Sequence, residues 1–208
     1  MLSVLKGNWL TRNWAAHAEK QRIEAHYDRR LALCLRAVQK HSPALLNMVV
    51  DKTEMPYEFL EKHFNTILRA AIDQDDITIF EAALSLREGS DINYAFESRW
   101  YAGDIDHDDS VHTKTPVFLV ALYRGKENIV NYLAEHPDLD LEAGEYKMLT
   151  KANKGTHFGI AMHGQKPAYV ADRHGFSDVA ELLLLREEKS LKYIMYKKSG
   201  LPLKATLG

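Results

Sequence analysis

The sequence predicts a mainly all-α fold: a helical repeat array with long stretches between units and a helical cap at each end. Three observations predict it. Three segments align at a constant offset of 50 residues, matching Ala71 with Ala121 and Ala171, Asp75 with Gly125 and Gly175, and Ile79 with Ile129 and Val179. After each turn residue, apolar positions recur at helical spacing, as in Ile129, Val130, Leu133 and Val179, Leu182, Leu183. The 208 residues are 46% apolar and 27% charged, a balance that buries a sizeable core, and the single Cys34 excludes a disulfide scaffold.

Taken in order, residues 8–41 read as one helix. Ile23, Tyr27, Leu31, Leu35 and Val38 make an apolar stripe with Arg29, Arg30 and Arg36 outside it. Cys34 falls within this helix as a small hydrophobe rather than a nucleophile. Ser42 followed by Pro43 reads as an N-cap and a first helical position, opening a short helix through Val50. Met55-Pro56 opens another towards Asp73. Residues 1–63 form the N-terminal helical cap, with no clear repeat match, either degenerate repeat helices or an unrelated cap, and Trp9 and Trp14 are available to pack it to the array or to form a contact of their own. Residues 64–185 hold the three units. Residues 186–208 are a capping helix and tail, where Leu191, Ile194 and Met195 continue a stripe and Gly200 and Pro202 end it.

Each unit reads as two short helices joined by a tight turn. A left-handed turn position favours glycine and tolerates aspartate, which accounts for Asp75, Gly125 and Gly175. Pro116 and Pro167 stand where a first helical position is expected, since the missing N–H has no partner there.

These residues resemble the ankyrin-repeat family, whose motif runs Thr-Pro, a small residue, Gly, an Ile/Val pair, a Leu run and a closing Asp-Val-Asn. The third unit carries Lys166-Pro167, Ala171, Gly175, Asp178-Val179-Ala180 and Leu182-Leu183-Leu184, with lysine in place of the threonine. The second carries Thr115-Pro116, Gly125, Ile129-Val130 and Leu133, with one extra residue between Pro and Gly. The first lacks Thr-Pro but ends in Ser90-Asp91-Ile92-Asn93, and Asp138-Leu139-Asp140 closes the second similarly. The period departs from the family: 50 residues here against ~33 there, so roughly 17 residues are added per unit. The resemblance implies that they form fingers, β-hairpins projecting from a helical solenoid; an all-helical solenoid of longer period is the alternative. It also implies a non-catalytic module that binds another protein. Degenerate, stretched repeats of this kind occur in host-directed bacterial or viral proteins.

The first finger, about 94–114, holds four aromatics and five carboxylates; the second, about 142–165, is net +1 and glycine-rich. Insertions in a repeat array map to one face, commonly the binding one. Candidate partner-binding residues are therefore Tyr94, Arg99, Trp100 and Tyr101 as anchors and Asp104, Asp106, Asp108 and Asp109 as steering charge. Tyr146, Lys151 and His157 join them from the second finger. Phe96 and Phe158 are expected to pack their hairpins instead.

The charge is laid out in blocks: residues 1–63 are net +3, 64–114 net −7 and 186–208 net +4, within a whole-chain −2. That total argues against a nucleic-acid partner, and no apolar run approaches the ~18 residues of a membrane span. Asp106, His107 and His112 offer a metal-dependent enzyme as the alternative, with His163 alongside His157 on the second finger. The Asp104–Asp109 string fails as an EF-hand loop, because positions six and twelve are Asp109 and Thr115. No cofactor motif is present. The N-terminus carries no signal-peptide pattern, so a reducing cytoplasmic setting is expected, or a host cytosol for an effector.

Overall fold

The computed structural model describes residues 2–51, 57–101, 110–142, 146–153, 156–163 and 166–199, with side chains described at 14–50, 58–97, 113–142 and 166–189. Helices dominate it, and the chain divides into two compact units, Met1–Glu88 and Gly89–Gly208.

The first unit contains α1 (Leu2–Gln39), α2 (Pro43–Asp51), α3 (Tyr57–Gln74) and α4 (Ile77–Leu84). α1 starts earlier than the expected 8–41 because no proline stands ahead of Asn8 to stop it. Residues 14–26 are exposed, and burial begins only at Tyr27. Of the expected stripe, Tyr27 and Val38 are buried and Leu31 and Leu35 half-buried, whereas Ile23 is 42% exposed. The stripe is apolar further out than the body extends. Phe59, Phe64, Ile67 and Leu68 of α3 and Ile79 and Phe80 of α4 fill the core with Cys34, Ala37 and Leu46. Ser42 caps α2 as its type requires: its Oγ accepts the Leu45 N–H at 3.2 Å. Asp76 does the same for α4, accepting from Thr78 and Ile79 N–H at 2.9 and 3.2 Å.

The second unit alternates hairpins of strand and helix: β1 (Ala95–Tyr101), β2 (Ser110–Pro116), α5 (Val117–Tyr123), α6 (Glu127–Glu135), β3 (Tyr146–Asn153), β4 (Thr156–His163), α7 (Pro167–Arg173) and α8 (Ser177–Ser199). α5 packs on α7 and α6 on α8. Val117–Leu122 are all buried, so α5 is apolar on every side, as an enclosed helix must be. α8 runs unbroken across the expected start of the C-terminal cap at 186. There Arg186 donates to the carbonyls of Ala134, His136 and Pro137, satisfying the open end of α6 with a cation.

The turn landmarks recur in one backbone motif. Asp75, Gly125 and Gly175 all have positive φ, at 54°, 63° and 86°. The Gly125 N–H bonds the Leu122 carbonyl and the Lys126 N–H reaches back to Ala121; Gly175 and Phe176 bond Asp172 and Ala171 in the same way. In these two units this is a Schellman-type helix end closed by the alanine carbonyl, and in the first unit the Asp75 N–H makes the corresponding bond to the Ile72 carbonyl at 3.0 Å. The same motif occurs once more, outside the three aligned units. His41 has φ 49°, its N–H bonds Val38 and the Ser42 N–H reaches Ala37. Ala37, Ala71, Ala121 and Ala171 are all fully buried. From Ala37 to Ala71 is 34 residues, against 50 for the other two steps. The N-terminal segment, expected to lack a repeat match, thus shares the turn geometry.

One proline is corrected. Pro167 is the first residue of α7 as expected, but Pro116 is the residue before α5 and the last of β2. The extra residue between Pro116 and Gly125 moves it one place outward.

Candidate functional site

The two fingers join. Their strands form one antiparallel sheet in the order β1-β2-β3-β4, with β2 of the first finger paired to β3 of the second. Within each finger the two strands are near in sequence, but the β2–β3 register, from Lys114↔Tyr146 to Ser110↔Thr150, is set between distant segments.

At the base of the first finger, Val117 N–H donates to the Tyr94 carbonyl at 2.8 Å. Tyr94 itself is half-buried, its ring edge-on to Phe96 at 5.6 Å, and Phe96 is buried. Tyr94 is therefore part of the finger's root, and Phe96 packs as expected. Glu97 stands opposite Lys114 in the ladder and the two form an ion pair across β1 and β2. Neither residue stood out in the sequence. Their signal is a carboxylate and an ammonium equidistant from the hairpin turn.

Arg99, Trp100 and Tyr101 lie on β1, opposite His112, Val111 and Ser110. Strand alternation places position 100 on the sheet face of position 96, and positions 99 and 101 on that of position 97. These three of the four proposed anchors are thus split between two faces. Tyr146 pairs with His163, Lys151 with Phe158 and His157 with Ala152. Asp104, Asp106, His107, Asp108 and Asp109 lie outside the described residues, and His112 is placed on β2 opposite Arg99 and Met148. Among the described residues no group of three or more metal-ligating side chains converges.

Elsewhere the chemistry is quiet. Burial pushes the Cys34 thiol up to about 11 against the smaller opposing pull of Arg30, so it is not a thiolate at neutral pH. A groove of about 430 Å³ runs between α1 and α3, with Gln39, Thr66, Arg69, Asp73 and Gln74 on its walls. His63, 7% exposed, stacks on Phe59 at 4.9 Å with its Nε2 unbonded. Desolvation lowers its pKa, helped by Lys62 and opposed by Asp28. No described helix is long and apolar enough to cross a membrane.

No family model, curated protein sequence or solved structure matches the chain.

Proposed function

We propose that this chain is a non-catalytic protein-interaction module of ankyrin-like build, gripping a partner protein with its joined fingers and with the concave face that stacked helix pairs would present. The observation that carries the reading is the single four-stranded sheet made from both fingers. Two separate loops would lose much conformational freedom on binding; a paired platform has already lost it. The Arg99-Trp100-Tyr101 run lies on an outer strand of that platform, and these residue types supply most hot-spot energy. The acidic run Asp104–Asp109 adds steering towards a basic partner surface. The ankyrin-like reading is supported by four recurrences of the buried alanine and left-handed turn residue. A cytoplasmic setting, or a host cytosol for a secreted effector, suits a chain with one buried free thiol.

The experiment is affinity capture from cell lysate, comparing the wild type with a Trp100→Ala/Tyr101→Ala variant of equal thermal stability. Proteins held by the wild type should be lost from the variant. Undiminished capture by the variant sinks the finger reading.

A further inference from the structure

We propose that β1 pairs with β1 of a second copy of this chain, antiparallel about a two-fold axis at Ser98, joining two four-stranded sheets into one. β1 is an outer strand of its sheet. The bond from Val117 N–H to the Tyr94 carbonyl fixes the ladder's phase. Hydrogen-bonded pairs alternate along an antiparallel ladder. Phe96, Ser98 and Trp100 therefore direct their backbone groups to β2, while Ala95, Glu97, Arg99 and Tyr101 direct theirs away from it. Pro116, with no N–H to give, falls opposite Ala95 in a pair that needs none from it. An outward row of backbone donors and acceptors is a template for another strand.

The charge order along that row selects the occupant. Read forward it is Ala95, Glu97, Arg99, Tyr101; a reversed copy presents Tyr101, Arg99, Glu97, Ala95. Full overlap sets Glu97 against the partner's Arg99 and, by symmetry, Arg99 against the partner's Glu97. Sliding the strands by two residues one way opposes two glutamates, and the other way two arginines, which is unfavourable. The register with most backbone bonds is thus also the one with matched charge. β4, the other outer strand, carries no Asp, Glu, Lys or Arg to set such a register. The Glu97 side chain is 67% exposed and remains reachable beside Lys114. Such an edge contact is isologous and small, which places it among weak, concentration-dependent dimers.

Sedimentation velocity of the full chain tests this. The wild type should pass from monomer to dimer with rising concentration. Glu97→Arg and Arg99→Glu should each be monomeric, because each opposes like charges in its own dimer. Mixed together they should recover a dimer, since every facing pair is then of opposite sign. Arg99→Pro removes an outward N–H and leaves the β1–β2 ladder intact, so it should weaken the dimer at least tenfold without moving the monomer's unfolding midpoint. A wild type still monomeric at about 1 mM overturns the proposal. So does a dimer that survives Arg99→Pro, a folded charge-reversed pair that fails to associate, or an edge occupied only by a strand of another protein. Arg99 and Tyr101 serve both readings, so a Trp100→Ala variant that loses a captured protein yet keeps the dimer, or the reverse, separates the two.

Discussion

The side-chain amide of Asn93 grips the backbone around Asp138: its Nδ2 donates to the Asp138 carbonyl at 2.8 Å, and its Oδ1 accepts the Asp140 N–H at 2.8 Å. Asn93 ends the first repeat-like segment and Asp138–Asp140 the second, so one residue ties two successive segment ends together across 45 positions of sequence. Asp91 and Asp140 brace the two ends in matching turns, accepting from the N–H two residues on.

Asn93→Ala should lower stability by about 1 kcal/mol, because two hydrogen bonds are lost at an exposed site where water can replace them. Asn93→Asp keeps the acceptor but not the donor and should fall between. Urea unfolding followed by circular dichroism measures both; a cost near zero for the alanine would mean that the tie contributes nothing.

Gly125→Ala and Gly175→Ala should each cost about 1 kcal/mol. A Cβ at either position meets nothing within 4 Å, so the penalty is conformational, from an L side chain held at positive φ. Gly125→Asn should cost less, since Asn tolerates that region. Equal losses for Ala and Asn in a thermal melt would point to a steric cause instead.

Asp76 predicts a loss of stability in acid. Partial burial pushes its carboxyl upward, but the hydrogen bond with His41 Nδ1 at 2.9 Å and those from Ile79 and Thr78 N–H outweigh it and hold the pKa below the usual value. A lowered folded-state pKa means that the unfolded chain takes the proton first. The contribution is full above about pH 4 and disappears as pH falls through the folded value. Asp76→Asn should flatten that part of the stability profile, and Asp76→Ala should cost about 1 kcal/mol at neutral pH through the lost cap.

His63 acts in a higher window. Its buried ring resists protonation, so stability should decline as pH drops from about 6.5, where the unfolded histidine begins to charge. His63→Phe should abolish that decline and, by removing an unbonded buried nitrogen, raise stability at neutral pH by about 1 kcal/mol. A variant that keeps the wild-type slope between pH 5 and 6.5 would assign the titration to another group.

Local features were legible from residue type alone. Ser42 caps α2 and Pro167 starts α7 because their side chains act on backbone within a few residues. Asp75, Gly125 and Gly175 turn left-handed because the steric map of a single residue decides it. The fourth occurrence escaped because His41 holds the turn. The motif is a pattern of backbone bonds, indifferent to any side chain that tolerates positive φ, and histidine is among those that do. Helix length also misled at Ile23, where an apolar position lies beyond the body that would bury it.

The sequence by itself determined the caps at Ser42 and Pro167 and the left-handed turns, since each depends on neighbours along the chain. Only the tertiary structure decided that the hairpins share one sheet, that β1 is left outermost, and that Asn93 meets Asp138. Those outcomes depend on the register between segments tens of residues apart. Which of these segments meet is decided only once the helices between them have packed and brought their backbone rows within bonding distance.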